Sequence, residues 1–436
     1  IGWVSGMGVL TNMTGDLGLD VLASDIILGG NIYGTTNHGL TLRGGTSRGG
    51  TLWLTGTNNF SFLRSQGSSD FRFASNGVTY VGGNFQLNTG GGFDGADMIL
   101  EDQAVVNTLY LRMMESSGHN ATLIQRGGTL IVRGSDDEEG AMRVGHYPSD
   151  TCYYFLSGGS LWITNVHYSS GNRLGRPAKL GLAQDGEGVF NLSGGTATVE
   201  CIGINERSDD TGHMYMSNGL LRIGRGGMTN EGAYSIHYAG GTIEAFMSSF
   251  ISLTGSLTGV NGNLNLNGTT NSLTLSGILR GAGGINKIGA GYVVLNAANG
   301  YAGDTVVSNG YLMGASNGSL GLGTVRLQGG HLALSAPGLW EEYFIGSDFT
   351  SVPDLRVRDW AVGADIAHYG PNEVIAYKGV IQNTNAFDVT YSFAENYDDE
   401  VRLSVDGVSI LNNGTWNVPT VGSVTLTPGN HDLQLW

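Results

Sequence analysis

The chain has 436 residues, of which 74 are glycine and 7 are proline, and its formal net charge at pH 7 is −16. This composition excludes collagen, which needs glycine at every third position with abundant proline, and it excludes a charge-rich disordered chain, because 13% of the residues are charged and 40% hydrophobic. The negative charge disfavours nucleic acid and anionic membrane surfaces as partners. No apolar run reaches the about 20 residues of a spanning helix, so we predict no membrane insertion within this chain.

Short strands that follow glycine corners are predicted from residue 1 to residue 335. The recurring unit is a turn of two small residues followed by alternating apolar positions, as in Gly127-Gly128-Thr129-Leu130-Ile131-Val132. Glycine accepts the positive φ of a sharp corner, and a period of two points alternate side chains inward. The turn positions assigned in this way are Gly128, Gly159, Gly195, Gly241 and Gly330.

Each of these units is too small to fold alone. Stacking them would pair every strand with its neighbour at about 4.8 Å and align the inward Leu, Ile and Val side chains. We therefore predict an all-β fold with a β-solenoid over residues 1–335. The alternative is a sandwich or propeller of hairpins, but the unit lacks the paired turns that such blades need.

Small, basic and aromatic positions recur in a fixed order between residues 276 and 312. They are carried by Gly281–Leu295 and by Asn299–Leu312. This segment resembles the autotransporter-associated β-strand repeat of large bacterial surface proteins. The resemblance implies a right-handed parallel β-helix, secretion, and a place outside the cell or on its surface, with a Gram-negative bacterium as the source.

Beyond Ser335-Ala336-Pro337-Gly338 glycine becomes sparser, which marks a domain boundary. Residues 338–436 resemble a PA14-like module, on the basis of Val389–Gly407 and Leu426–Leu435, and the resemblance implies a small antiparallel β-sandwich. The segment is shorter than the full family domain. Because the sequence starts at Ile1 and stops at Trp436, we expect a longer precursor.

Asp398 and Asp399 form an adjacent pair of carboxylates, which suits a cation that takes oxygen ligands. Glycan-binding PA14 members hold calcium through such a pair, and the resemblance makes Asp398 and Asp399 calcium ligands with help from Asn412 or Asn413. The alternative is that the pair caps a hairpin. Asp406-Gly407 is predicted to be a hairpin turn.

Other candidate sites have simpler interpretations. Asp136-Asp137-Glu138-Glu139 and Asp209-Asp210 are predicted to be solvated loops rather than calcium sites. His-Tyr pairs occur at 146–147, 167–168, 237–238 and 368–369, and they are predicted to be strand ends. Polysaccharide lyases and glycosidases with β-helix folds group several acids with Arg, Lys or His on one face. The acids here are scattered and lysine occurs only at 179, 287 and 378, so we predict no enzymatic activity.

Two pairs of residues leave alternatives open. Cys152 and Cys201 either form a disulfide or are two buried thiols. Trp53 and Trp162 hold similar positions after their turns, so they either form a ladder along one face of the solenoid or fill the core.

Taken together, these patterns predict an extracellular structural or adhesive protein, a stalk or fibre subunit with a PA14-like head. Open strand edges at the ends of a solenoid make copies of the same chain the first expected partner. Glycans are the second expected partner. The alternatives are a calcium-dependent carbohydrate-binding adhesin, and a β-helix polysaccharide lyase or glycosidase.

Overall fold

The computed structural model divides into two compact units, Ile1–Leu334 and Ser335–Trp436. The described residues are 10–13, 16–21, 25–29, 31–34, 38–44, 50–87, 96–113, 120–134, 141–145, 151–164, 178–204, 211–230, 232–259, 263–268, 271–316, 318–333, 339–345, 355–359, 373–383, 387–395, 400–414 and 418–436. Within these ranges the secondary structure consists of strands and turns. No helix among them is long and apolar enough to cross a membrane.

The first unit consists of short strands throughout. In chain order they are β1 (Leu10–Met13), β2 (Leu17–Val21), β3 (Ile26–Leu28), β4 (Ile32–Gly34), β5 (Leu40–Gly44), β6 (Thr51–Leu54), β7 (Thr57–Phe60), β8 (Leu63–Gln66), β9 (Asp70–Phe73), β10 (Val78–Leu87), β11 (Ala96–Leu100), β12 (Val105–Met113), β13 (Asn120–Gln125), β14 (Thr129–Val132), β15 (Met142–Val144), β16 (Thr151–Leu156), β17 (Ser160–Ile163) and β18 (Lys179–Leu182). They continue with β19 (Glu187–Leu192), β20 (Thr196–Ile204), β21 (Thr211–Met216), β22 (Leu220–Thr229), β23 (Ala233–Tyr238), β24 (Thr242–Ala245), β25 (Ser249–Ile251), β26 (Gly255–Leu257), β27 (Leu264–Gly268), β28 (Ser272–Leu275), β29 (Leu279–Gly281), β30 (Ile285–Ile288), β31 (Tyr292–Leu295), β32 (Gly300–Tyr301), β33 (Thr305–Val307), β34 (Tyr311–Gly314), β35 (Val325–Leu327) and β36 (His331–Ala333).

The strands of this unit stack into three parallel faces, each strand pairing with strands of the neighbouring turns. Face 1 is β1, β4, β7, β10, β12, β14, β17, β20, β22, β24, β27, β30, β33 and β35. Face 2 is β2, β5, β8, β10, β12, β15, β18, β20, β22, β25, β28, β31, β34 and β36. Face 3 is the separate 12-stranded sheet β3, β6, β9, β11, β13, β16, β19, β21, β23, β26, β29 and β32. This arrangement confirms the predicted all-β fold and parallel β-solenoid, while its right-handed sense stays a prediction.

Faces 1 and 2 are joined because four long strands run around the corner between them. In β10, for example, Val78–Val81 pairs with β7 on face 1, and Phe85 and Gln86 pair with β8 on face 2. β12, β20 and β22 divide in the same way. The two faces therefore form one 24-stranded sheet.

The core of the solenoid lies between the three faces and is built by alternation along each strand. On face 3, Leu123, Tyr154, Phe190 and Met214 follow one another in register from β13 to β21. All four are fully buried. Each turn thus adds one layer of apolar side chains to a continuous column.

Glycine forms the corners between face 3 and face 1. The φ angles there are 64° at Gly128, 78° at Gly159, 69° at Gly195 and 88° at Gly241. The fifth assigned corner instead lies between β35 of face 1 and β36 of face 2, and its positive φ, 129°, belongs to Gly329 rather than to Gly330. The corners also stack closely, since a Cβ at Gly195 would lie 2.7 Å from the carbonyl oxygen of Gly159 on the preceding turn. Both backbone angle and space therefore require glycine at Gly195.

One inward position of face 1, on β30, is a lysine. Lys287 is fully buried, and its ammonium donates hydrogen bonds to the carbonyl oxygens of Ile288 at 2.7 Å, Gly289 at 2.7 Å and Asn309 at 3.0 Å. Burial lowers the pKa of Lys287 to about 8. The side chain thus ties its own corner to the corner of the next turn.

The two cysteines lie on different faces. Cys152 is on β16 of face 3, and Cys201 is on the part of β20 that belongs to face 2. Both are buried thiols, and they donate to the carbonyl oxygens of Met113 at 3.7 Å and Gly226 at 3.4 Å, respectively. Of the two alternatives, the buried thiols are confirmed.

The two tryptophans also lie on different faces. Trp53 is on β6 of face 3, whereas Trp162 is on β17 of face 1. Both side chains point outward, with Trp162 39% exposed. The predicted shared ladder and the alternative of core filling are therefore both wrong. The reason is that the same Gly-Gly sequence precedes strands of different faces.

The second unit is antiparallel. Its strands are β37 (Leu339–Ile345), β38 (Leu355–Asp359), β39 (Glu373–Asn383), β40 (Val389–Glu395), β41 (Val401–Val405), β42 (Val408–Asn413), β43 (Thr420–Leu426) and β44 (Gly429–Leu435). Six of them form one sheet in the order β38-β37-β39-β44-β41-β42, and β40 pairs with β43. Leu403 and Val405 of the larger sheet share a core with Leu426 of the smaller one. The predicted antiparallel sheets are confirmed.

Candidate functional site

The outer surface of face 3 carries a regular array of polar and aromatic side chains. Five consecutive strands, β13, β16, β19, β21 and β23, each have six residues, and the first, third and fifth point outward. We call these fifteen positions the β13–β23 platform and the three positions on one strand a row. The rows are Asn120, Thr122 and Ile124; Thr151, Tyr153 and Phe155; Glu187, Val189 and Asn191; Thr211, His213 and Tyr215; and Ala233, Ser235 and His237.

The rows lie in register, so equivalent residues sit directly above one another. Thr151, Glu187 and Thr211 are paired in one column. Phe155 leads in the same way through Asn191 to Tyr215. Because neighbouring rows are about 4.8 Å apart, side chains in one column contact each other.

Aromatic rings dominate the rows of β16 and β21. The rings of Tyr153 and Phe155 are nearly parallel, at 7°, with centroids 5.9 Å apart. On β21, His213 and Tyr215 are 6.4 Å apart at 20°, and Tyr215 stacks on His237 of the next row at 5.0 Å and 6°. Phe155 is 37% exposed and Tyr215 39%. These rings are therefore ordered by their neighbours while remaining open to solvent.

The row of β19 lies lower than the aromatic rows beside it. Val189 points outward but is only 8% exposed. Its register neighbours are Tyr153 on one side and His213 on the other, and both are larger. The platform thus has a shallow depression along β19 between two aromatic rows.

A chain of polar contacts crosses the same rows. Thr151 Oγ1 donates to Glu187 Oε2 at 3.2 Å, and Glu187 Oε1 lies 3.4 Å from His213 Nε2. On its other side, His213 Nδ1 is 2.6 Å from Ser235 Oγ. These contacts fix the imidazole ring across three rows, so little side-chain freedom remains to be lost on binding.

Carboxylate, imidazole and hydroxyl together have the composition of a nucleophilic triad, but their setting suits binding. The backbone N–H groups of these strands are used in the parallel ladder. A nucleophile needs free donors for the developing oxyanion. What the arrangement offers is a set of acceptors and donors for hydroxyl groups.

Toward the N-terminal end the outward column continues from the platform through β11, β9 and β6. Ile124 of β13 is in register with Ile99 of β11, which is in register with Arg72 of β9. Arg72 in turn is in register with Trp53 of β6. The guanidinium of Arg72 lies 4.0 Å from the ring centroid of Trp53 and donates to Glu101 at 2.8 and 2.9 Å. Glu101 therefore balances the charge of Arg72, and the aromatic character of the face extends to this end.

The predicted calcium ligands Asp398 and Asp399 lie outside the described residues. Asn412 is exposed on β42, in register with Arg402 of β41. Asn413 is buried and donates to the carbonyl oxygen of Val418 at 2.8 Å. Across the described ranges no group of three or more His, Cys, Asp or Glu side chains could hold a metal ion. The calcium site stays a prediction.

Several other predicted positions also lie outside the described residues. They are the acidic runs at 136–139 and 209–210 and the His-Tyr pairs at 146–147, 167–168 and 368–369. The remaining pair divides between two environments: His237 belongs to the platform, and Tyr238 is buried in the core. Burial raises the pKa of Tyr238 above its ordinary value.

A second polar cluster lies in the C-terminal unit. The turn between β41 and β42 is formed by Asp406 and Gly407 with φ of 51° and 76°, which confirms the predicted hairpin turn. His431 Nδ1 donates to Asp406 Oδ2 at 2.7 Å, and its Nε2 donates to the carbonyl oxygen of Thr427 at 2.8 Å. These two bonds raise the pKa of His431, and the bond from His431 lowers the pKa of Asp406. The cluster ties two turns together.

Sequence reasoning missed the platform, although a signal for it exists. Phe155, Asn191, Tyr215 and His237 each stand three positions before the first of the two small residues of a turn. Aligning the strands on their corners would have brought these four residues into one column. The sequence analysis considered each motif separately and therefore did not place these residues together.

Comparison with known proteins gives limited relationships. No family model matches this chain. A segment of 65 residues is 38% identical to the alpha-agarase of Thalassotalea agarivorans, and the match covers 15% of this chain and 4% of that protein. Two solved structures of anti-sigma factor domain-containing proteins, one from Clostridium clariflavum, align with 23% and 22% of this chain and 37% and 36% of theirs. Their identities are 24% and 22% and their TM-scores 0.19 and 0.18, too low for any conclusion about this chain.

Proposed function

We propose that this protein is a structural component of a cell surface that contacts polysaccharide through face 3 of its solenoid. The parallel solenoid fits a surface or structural role. The observation that carries the carbohydrate contact is the β13–β23 platform, a regular array of ordered aromatic rings among hydroxyl, amide and carboxylate groups. Apolar rings with a few placed polar groups are typical of ligand-binding surfaces.

The partial similarity to a protein named alpha-agarase supports this proposal, because that name denotes an enzyme acting on a polysaccharide. The similarity extends to a small part of both proteins, so it supports carbohydrate contact rather than a shared reaction. Agarose is accordingly the first polysaccharide to test.

The proposed role is binding without catalysis. Glycosidases use a pair of carboxyl groups on either side of the scissile bond. Among the fifteen platform positions Glu187 is the single carboxylate. We therefore propose that polysaccharide is held and not cleaved.

The narrower predictions from the sequence remain part of this proposal. We propose that residues 276–312 are an autotransporter-type repeat and that residues 338–436 are a PA14-like module. The ordered strands β29–β34 and the inward lysine of β30 support the first of these. Secretion, an extracellular location and association of copies are proposed with them. Calcium at Asp398, Asp399 and Asn412 would give the C-terminal unit a second glycan site.

Co-sedimentation with insoluble polysaccharides tests the proposal. The full chain is mixed with agarose, cellulose or chitin, with and without a chelator, and the bound fraction and the release of reducing ends are measured. We expect retention on at least one polysaccharide that survives the chelator, with no reducing ends. Absence of retention on all of them, or release of reducing ends, would contradict the proposal. Retention lost with the chelator would instead favour the calcium site.

A further inference from the structure

We infer that the β13–β23 platform binds an uncharged polysaccharide, one sugar unit of which lies in the depression along β19. The inference rests on the proposed function and adds the site and the class of ligand. Three properties of the platform lead to this inference: the shape of its surface, its charge and its hydrogen-bonding groups.

The depression along β19 has a shape that fits a sugar ring. The aromatic rows of β16 and β21 are separated by the single row of β19, so they stand two row spacings, about 9.6 Å, apart. Val189 and Asn191 form the floor between them, because they lie in register between Tyr153 and Phe155 on one side and His213 and Tyr215 on the other. A flat ring can enter this space with its C–H faces toward the aromatic walls.

The charge of the platform selects against ionic polymers. The five strands contain neither lysine nor arginine, so they offer no ammonium or guanidinium group to hold a sulfate or a uronate. Glu187 is the single carboxylate, and the chain as a whole carries a formal charge of −16. At the N-terminal border Asp97 is largely buried, and this burial raises its pKa. An anionic polysaccharide would be repelled, and a neutral one would not.

The polar groups match a ligand rich in hydroxyls. Glu187 accepts from Thr151 and faces His213, yet its side chain is 44% exposed and keeps lone pairs available. The Asn191 amide on the floor and the Ser235 hydroxyl in the last row add donors and acceptors. A sugar hydroxyl can donate to the exposed oxygens of Glu187, whereas an apolar protein surface placed on the row would remove water from them and supply no donor in its place.

Aromatic variants on two faces give the decisive test. Phe155→Ser together with Tyr215→Ser removes one ring from each wall, and Trp162→Ser removes an equally exposed ring from face 1. The probes are soluble agaro-oligosaccharides and, for comparison, sulfated carrageenan and polygalacturonate, titrated calorimetrically against the full chain. We expect the double variant to bind the neutral probe about tenfold or more weakly. Trp162→Ser and wild type should bind equally, and neither anionic probe should bind better than the neutral one.

Folding is checked by circular dichroism and thermal unfolding of each variant. If the double variant loses its fold, Asn191→Ala provides the second test, because it removes a polar group from the floor and leaves the aromatic walls. A several-fold loss of affinity in this variant supports the inference, and unchanged affinity overturns it.

The outcomes separate this inference from the proposed function. If wild type is retained on polysaccharide and the platform variants bind equally well, the platform is not the site, although the general function stands. If wild type binds none of the soluble probes, the inference fails, and if it is also retained on none of the insoluble polysaccharides, the proposed function fails with it. Preference for an anionic probe overturns the ligand class. Sedimentation velocity tests whether the platform instead joins two copies of the chain. If the wild type forms dimers, the double variant does not, and both bind glycan equally well, the platform is an interface between copies.

Discussion

Replacing Gly195 by alanine tests the stacking of glycine corners, on which the solenoid depends. Gly195 has a φ of 69°, and an added Cβ would lie 2.7 Å from the carbonyl oxygen of Gly159. The same oxygen accepts a hydrogen bond from the amide of Thr196 at 2.9 Å. One methyl group thus opposes both the backbone angle and the contact between two turns.

The expected loss of stability follows from these distances. An L-residue in the left-handed region costs about 1–2 kcal/mol, of which about 0.4–1 kcal/mol is offset by the stiffer unfolded chain. To reach an ordinary contact the Gly159 oxygen must retreat by roughly 0.7 Å, which lengthens its hydrogen bond to Thr196. Overpacking of this kind costs about 1–3 kcal/mol. We therefore expect Gly195→Ala to destabilise the central turns by about 2–4 kcal/mol.

Hydrogen exchange measured by mass spectrometry is the suitable assay, because each turn of a solenoid contacts only its neighbours and can open locally. Gly318→Ala is the matched control: its φ is 75°, but an added Cβ would meet only Ala298, at 3.8 Å. This control should cost about 1 kcal/mol or less. Gly82→Ala, with negative φ and ordinary contacts, should be near neutral. Equal effects of Gly195→Ala and Gly318→Ala would refute the argument from close stacking.

Three further predictions concern single side chains. Lys287→Met should cost about 2–3 kcal/mol at pH 7, because three carbonyl oxygens lose their charged donor. The pKa of Lys287 in the folded state, about 8, lies below the ordinary value of 10.5, so between these pH values the folded protein binds fewer protons than the unfolded chain. The wild type therefore gains stability over the variant as pH rises through that range, which urea titrations at several pH values will measure. His431 should titrate above 6.5 in NMR spectra, and Asp406→Asn should return its midpoint toward 6.5. Because the raised pKa belongs to the folded state, the contribution of the His431–Asp406 pair to stability is complete below pH 6.5 and is lost as pH rises through the folded pKa. An unshifted midpoint in the wild type would contradict this prediction. Leu123→Ala should cost about 2–4 kcal/mol in urea unfolding, whereas Ile124→Ser on the opposite side of the same strand should cost about 1 kcal/mol or less, and similar losses in both would show that the register is wrong.

The elements that sequence analysis predicted are those that depend on neighbours in the chain. A glycine corner followed by an alternating strand is local, and Gly159 with Leu161 illustrates it: one turns the backbone and the other enters the core two residues later. The parallel stack followed from these units because none can bury its apolar residues alone. The hairpin at Asp406 was recognisable for the same reason, since two adjacent residues determine such a turn.

The features that sequence analysis missed depend on which face a strand joins. The same Gly-Gly sequence precedes the strands of Trp53 and Trp162, yet β6 lies on face 3 and β17 on face 1. The long strand β20 passes from face 1 to face 2 with an irregularity near Glu200 and no glycine corner. Burial raises the pKa of that carboxyl group, which accepts the amide hydrogen of Arg225. No local sequence pattern predicts that a strand will change from one face to the next in this way.

The candidate site was hidden for a related reason. His213 and Glu187 come from strands of successive turns, and their proximity is a consequence of register. Register is decided by the whole stack, because a slip of one residue would exchange core and surface positions on every row. A single sequence contains the residues of the platform but not their order in space.

Because equivalent residues of the β13–β23 platform repeat once per turn, the surface can change its length in whole steps. Duplicating the segment that supplies one row would insert an additional row and leave the side chains of the other rows unchanged, because each turn of the solenoid contacts only the turns directly before and after it. Loss of a segment would shorten the surface by the same increment. Gene duplication could thus change the number of rows on this surface without altering the contacts within any one row.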